Sequence, residues 1–372
     1  MRFLETLIRR DLEKKMVFVG GPRQVGKTTL VKHLLANHGP GRYFDWDYDE
    51  DRQSILRKQW ARADRLLVFD ELHKFPQWKR WVKGLYDVAG DRHRILVTGS
   101  ARLDVYRQGG DSLLGRYHYW RLHPFSLDEI PAGIDPPEAL RRLMTLGGFP
   151  EPFLADDERE ARRWRKDRFD RVLQEDIRDL ESIRNIQGLR LFVDLLRERV
   201  GNLVVLANLA RDIEVAPQTA KTWLDALKRM YLLFRVMPYT QDLPRAIQKP
   251  PKVYFFDNAD VPDAAGPRFE NLVASHLLKR LHLIEDRDGH RCELRYLRDK
   301  EGREVDFAIL QDGLLKELIE AKYADESISP SLRYYAKRLK PERATQIVAT
   351  VQHPWDRDGI HVTSPLHYFS SP

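Results

Sequence analysis

Met16-Val17-Phe18-Val19 runs into Gly20-Gly21-Pro22-Arg23-Gln24-Val25-Gly26-Lys27-Thr28, and Thr28 to Ala36 continues with helical spacing. An apolar strand, a glycine-rich turn and an amphipathic helix in that order open an α/β domain. Gly21 to Thr28 satisfies G-x-x-x-x-G-K-[ST] in the strand-before, helix-after context that its mechanism requires. In such a loop the backbone N–H groups wrap phosphates at the positive end of the following helix. Gly21, Pro22, Arg23, Gln24, Val25, Gly26, Lys27, Thr28 and the adjoining Thr29 are therefore the candidate ATP-binding residues. Lys27 is placed to neutralise β/γ-phosphate oxygens, and Thr28 to offer its hydroxyl to Mg²⁺.

Working outward, Leu66-Leu67-Val68-Phe69-Asp70-Glu71 is a second buried strand that delivers carboxylates at its carboxyl end, where ligands of open α/β sheets bind. Asp70 is the expected magnesium holder, through the ion's water shell. Glu71 is the expected group that polarises the attacking water. A third strand, Arg94-Ile95-Leu96-Val97, ends in Thr98-Gly99-Ser100, where a small hydroxyl can sense the γ-phosphate; Ser100 is the preferred candidate, with a helix N-cap as the other reading. Arg116, in Ser112-Leu113-Leu114-Gly115-Arg116, offers a fork that reaches the γ-phosphate of a neighbouring copy in a homo-oligomer, or else a structural ion pair. Asp70-Glu71-Leu72-His73 also matches a helicase DExH box, but the chain carries no second motor element of the Q-x-x-G-R-x-x-R type.

The chain has 372 residues, 42% hydrophobic and 32% charged, enough for two or three packed cores. It holds no apolar run approaching the roughly 18 residues of a spanning helix. The opening MRFLETLIRRDLEKK reaches charge before a signal-peptide core can form, so no membrane partner and a cytoplasmic location are expected. The single cysteine, Cys292, excludes internal disulfides and multi-cysteine metal sites. A balance of 63 Lys+Arg against 56 Asp+Glu permits attraction to polyanions without naming one. The arginine-dense stretch from Arg159 to Arg171 reads first as a solvated helical face and second as a phosphate-contacting stripe.

Residues 1–130 read as one nucleotide-binding unit, closed by the turn-rich Pro131 to Pro137. Residues 131–199 read as a helical connector broken at Gly147-Gly148-Phe149-Pro150. In 200–245, Leu206 to Ala210, a turn through Pro217, a helix Ala220 to Met230 and the strand-like Tyr231 to Val236 resemble a winged helix-turn-helix, a module that serves DNA or protein partners. Residues 246–372 read as a further α/β domain: a strand Lys252 to Phe256, a helix Phe269 to Lys279, and a hairpin of Glu304 to Leu310 with Leu314 to Lys322.

That last domain gathers a second candidate set: Glu270 on the helix, Asp306 on the first hairpin strand, and Glu320 with Lys322 on the second. Nucleases of the PD-(D/E)xK type use paired carboxylates for Mg²⁺ and a lysine on the same strand face. Period two puts Glu320 and Lys322 together. A three-residue Gln311-Asp312-Gly313 loop sets Glu304 opposite Glu320 and puts Asp306 on their face; a two-residue Asp312-Gly313 turn puts Asp306 on the other.

GPRQVGKTT, LLVFDELHKFPQWKRWVKGLYD, ILVTGSAR, SLLGRY, LHPFSLDE, GGFPEP, KVYFFD, FENLVASHL, EVDF and IEAK, taken in order, make nearly the whole chain resemble a prokaryotic family of AAA-like P-loop ATPases whose C-terminal part is a domain of unknown function with PD-(D/E)xK nuclease-like topology. The resemblance implies ATPase roles for Lys27, Thr28, Asp70 and Glu71; where His73 stands here the family often has glutamine. The fold class expected is α/β: an AAA-like parallel-sheet core, a helical and winged-helix connector and a nuclease-like α/β domain. The expected activity is Mg²⁺-dependent ATP hydrolysis coupled to action on DNA. The alternatives are a nucleotide-gated switch with protein partners and an ATP-controlled nuclease.

Overall fold

The computed structural model describes residues 2–99, 113–173, 183, 185–240 and 249–370. The chain divides into two compact units, Met1–His123 and Pro124–Pro372.

The first unit comprises α1 (Leu4–Leu12), β1 (Met16–Gly20), α2 (Lys27–Ala36), β2 (Gly41–Asp45), α3 (Asp49–Arg57), β3 (Leu66–Asp70), α4 (Trp78–Ala89), β4 (Arg94–Thr98) and β5 (Tyr117–Arg121). Its five strands form a parallel sheet in the order β2-β3-β4-β1-β5. β1 and β3 are buried at every position, which is why they read as unbroken apolar runs rather than alternating ones. Alternate residues feed opposite faces: Met16, Phe18, Phe69 and Val97 pack with Trp78, Val82 and Leu85 of α4 in one core. All strands point the same way, so the carboxyl ends of β1, β3 and β4 share one edge.

The second unit contains α5 (Pro136–Thr145), α6 (Pro150–Ala155), α7 (Glu158–Arg171), α8 (Ile186–Arg197), α9 (Leu206–Asp212), α10 (Pro217–Arg229), β6 (Leu233–Pro238), β7 (Lys252–Phe255), α11 (Ala265–Asp288), β8 (Cys292–Arg298), β9 (Glu304–Gln311), β10 (Leu314–Lys322), α12 (Pro330–Leu339), β11 (Arg343–Val348), β12 (Trp355–Arg357), β13 (Ile360–Thr363) and α13 (Pro365–Tyr368). Eight strands form one mixed sheet, ordered β12-β13-β11-β10-β9-β8-β6-β7. β6 pairs antiparallel with β7 and parallel with β8, so the strand after α10 belongs to the same sheet as the hairpin. Leu203, just before α9, makes an antiparallel bridge to Lys252 at the start of β7.

The arginine-dense α7 is a mostly solvated face. Arg162 and Arg163 pair with Glu158 and Glu160 on neighbouring turns, while Arg168 turns inward over the Phe149 ring at 3.9 Å. Among the described residues no helix is long and apolar enough to cross a membrane.

Candidate functional site

The loop after β1 is shaped by close backbone approach. A Cβ at Gly21, where φ is +145°, would lie 2.3 Å from the Leu122 carbonyl oxygen, and Gly26 opens α2 at φ +95°. Only glycine meets both demands without strain. Lys27 is buried, and its ammonium donates to the loop's own carbonyls, Gly21 at 3.1 Å and Pro22 at 2.8 Å. The loop is thus curled around a positive charge at the start of a helix, which is the arrangement a polyphosphate requires.

Beside it stands Asp70, whose carboxylate Oδ2 accepts the Thr28 hydroxyl at 2.7 Å. The sequence reading placed these two residues in one magnesium site, and the structure brings them together across 42 positions. Two further donors join them. The Tyr43 phenol donates to the same Oδ2 at 2.7 Å, and the Thr98 hydroxyl donates to Oδ1, which also accepts the Glu71 backbone N–H at 3.1 Å. Register explains both: β2 and β4 flank β3 in parallel, so hydroxyls from either neighbour reach the end of the central strand. Thr98 was legible as the small hydroxyl ending its strand. Tyr43, two residues short of its strand's end, carried no signal. Burial and the bond to Asp70 raise the phenol's pKa, so it stays a donor. The preferred hydroxyl, Ser100, lies outside the described residues.

Glu71 sits at φ +54°, a turned-out conformation just past the strand. Its carboxylate lies 3.5 Å from the Lys74 ammonium and 3.7 Å from Nε2 of buried His73. Burial pushes the Glu71 carboxyl above its usual range, against the pull of Lys27 and Lys74. Arg116 lies at the other edge of the sheet, at the amino end of β5, and its Nε donates to Asp87 of α4 at 2.8 Å. Within its own chain it is engaged in an ion pair and not turned to the loop.

In the second unit the expected carboxylates do converge, by a route that corrects both hairpin alternatives. The turn is the two-residue one, with Asp312 and Gly313 at φ +51° and +82° and Leu314 paired to Gln311. That register alone faces Asp306 away from Glu320. A β-bulge between Leu315 and Glu317 then shifts the pairing by one, so Leu318 meets Ala308 and Ile319 meets Phe307. The shift returns Asp306 to the face of Glu320, and its Oδ2 accepts the Ala321 N–H at 3.0 Å.

At the centre of this cluster is a residue outside the expected set. Lys252, 1% exposed, places its ammonium 2.6 Å from Glu304, 3.3 Å from Glu270 and 3.4 Å from Asp306. Burial alone lowers a lysine pKa, but these three carboxylates outweigh it and hold the group protonated. Tyr254 donates to Glu270 at 2.6 Å, and Lys322 pairs with Glu320 at 2.9 Å. Burial, with Asp306 nearby, pushes the Glu270 carboxyl up to about 7 and that of Glu320 up to about 8. Among the described residues no group of three or more Asp, Glu, His or Cys side chains is arranged to hold a metal ion. Of the expected carboxylates, Glu270 and Asp306 are assembled around an internal ammonium, and Glu320 is held by Lys322.

Comparison with known proteins gives three family matches along the chain. Residues 13–131 match the model of an AAA domain, residues 137–262 a domain of unknown function (DUF8612), and residues 265–369 a second domain of unknown function (DUF4143). An uncharacterized protein of Mycobacterium tuberculosis is 28% identical over 253 residues, covering 67% of this chain and 56% of its own; the chain thus spans little more than half of that relative's length. An uncharacterized protein of Methanocaldococcus jannaschii is 23% identical over 375 residues, covering 90% of this chain and 82% of its own. The solved Walker-type ATPase of Pyrococcus abyssi is 16% identical with a TM-score of 0.43, covering 69% of this chain and 93% of that one. Loop geometry, sheet order and family match agree on an AAA-like P-loop domain near the amino end of the chain.

Proposed function

We propose that the protein is a Mg²⁺-dependent ATPase that couples hydrolysis to action on DNA. The observation that carries the first half is the Thr28–Asp70 hydrogen bond beside a glycine cradle closed on Lys27. Those residues fit a metal-bound triphosphate: Lys27 would exchange the loop carbonyls for phosphate oxygens, while Thr28 and Asp70 would hold magnesium. Magnesium, when bound, neutralises phosphate charge and holds the phosphate tail in line. Glu71, one residue beyond Asp70 and raised in pKa by burial, is the group to accept a proton from water. Arg116 serves a neighbouring copy in this reading, and to do so must leave Asp87.

The DNA half rests on the second unit. The winged-helix reading is supported by the order α8, Leu203 bridge, α9, α10, β6, β7, and α10 presents Gln218, Lys221, Lys228 and Arg229 to solvent. A net charge of +7 favours a polyanionic partner. Lys252 speaks for holding DNA without cutting it, because a divalent ion and the ammonium compete for the same carboxylates. The test is ATP turnover with single-stranded, duplex and branched DNA beside Lys27→Ala. Stimulation that declines as salt rises supports the reading, and turnover indifferent to all three at low salt removes the DNA half. Turnover unchanged in Lys27→Ala removes the ATPase half.

A further inference from the structure

Asp70 is 4% exposed, and its carboxylate accepts from Thr28 and Tyr43 on Oδ2 and from Thr98 and the Glu71 N–H on Oδ1. An ionised carboxylate has about four lone-pair directions. All of Asp70's are taken. A carboxylate that holds magnesium through a water must give that water a lone pair, so the loading of this site requires one donor to withdraw.

The surroundings of the four donors single one out. The Glu71 N–H is backbone, fixed by the chain. Thr98 is fully buried at the end of the interior strand β4. Thr28 keeps its bond while its oxygen faces the ion, because a hydroxyl donates its proton and offers a lone pair at once. Tyr43 differs: it stands on β2, the edge strand of the sheet, is only partly buried, and its ring lies under the ammonium of exposed Lys32 at 4.7 Å. Its side chain stands at the edge of the sheet, with the Thr28 hydroxyl as a further hydrogen-bond neighbour.

We infer that Tyr43 is the stopper of the magnesium site, its phenol holding the Asp70 lone pair that the metal's water must take. The residue sets how much magnesium the site needs, and it does so without touching nucleotide. This rests on reading the loop as a magnesium–nucleotide site.

The test is binding of a fluorescent ATP analogue to the full chain, titrated with magnesium, for wild type and Tyr43→Phe. Losing a competing bond to a charged acceptor should lower the magnesium concentration at half-saturation by about tenfold. Affinity in EDTA should be unchanged, a readout that a general packing defect would move. Tyr43→Leu, which also lacks the hydroxyl, should shift the same way and guards against local repacking of the phenyl ring. Coincident curves, or a shift of both variants to higher magnesium, overturn the inference while leaving the nucleotide reading intact. A wild-type chain that binds no nucleotide at any magnesium level overturns both.

Discussion

The ammonium of Lys252 lies 3.4 Å from the carboxylate of Asp306, although two strands of the sheet separate β7 from β9. β6 pairs with β8 only at Met237–Arg295 and Pro238–Tyr296, and the lysine reaches past both strands to stand among Glu270, Glu304 and Asp306. Two outcomes are expected. The wild-type chain should leave supercoiled plasmid intact in magnesium or manganese, and metal-dependent nicking abolished by Glu320→Gln would contradict this. Lys252→Met, which strips a buried acid cluster of its counter-charge, should cost about 3–5 kcal/mol in urea unfolding.

Glu71 can be separated from Asp70 by experiment. Glu71→Gln keeps the shape and the backbone bond to Asp70 but cannot accept a proton, so ATP affinity should stay within about twofold while turnover falls by about 100-fold or more. Calorimetry with ATP and a phosphate-release assay on the same preparation decide it. Undiminished turnover would dismiss Glu71 as the base.

Gly21 should not tolerate a side chain. In Gly21→Ala the new Cβ meets the Leu122 carbonyl, backbone that cannot swing aside as a flexible side chain would, and φ of +145° adds strain. Nucleotide binding should be lost, with a stability cost of about 1–3 kcal/mol. Alanine at Gly39, which has open space around its Cβ position, changes the backbone preference alone and serves as the control for φ.

Asp257 predicts a pH effect remote from the loop. It is fully buried, and burial with Asp260 nearby pushes its carboxyl up to about 7 from an ordinary 3.8, against the pull of Arg168. Between those values the folded chain binds a proton that the unfolded chain has lost, so this group's contribution makes stability fall as pH rises from 3.8 to about 7 and level off above. Asp257→Asn should therefore gain on the order of 1–3 kcal/mol at pH 8, with the gain shrinking to nothing near pH 4. Denaturant midpoints of both proteins across that range supply the check, and a gain that is constant with pH would refute the assignment.

What was legible in the sequence was local. Gly21 to Thr28, and Asp70 with Glu71 at the end of an apolar run, announce themselves because the motifs lie in consecutive residues. The partners supplied by other strands did not. Tyr43 reaches Asp70 only through the parallel register of β2 on β3, and Lys252 meets Glu304 across the intervening β6 and β8. The hairpin shows a third kind of difficulty. Turn length was one of two stated possibilities, but a bulge has no residue signature as firm as an Asp-Gly turn, so the face of Asp306 could not be settled from the sequence.

Past that bulge, residue count rather than residue identity is the quantity this hairpin must keep. The extra position is Lys316, whose side chain pairs with exposed Glu342 at the surface. Its chemistry is dispensable and so is its position, since without it Glu317 still meets Ile309; one residue lost between Glu317 and Glu320 would instead send Asp306 and Glu320 to opposite sides of the sheet and open the acid cluster around Lys252. In ordinary loops an indel is the gentle change and a substitution the riskier one; at this strand the ranking is inverted.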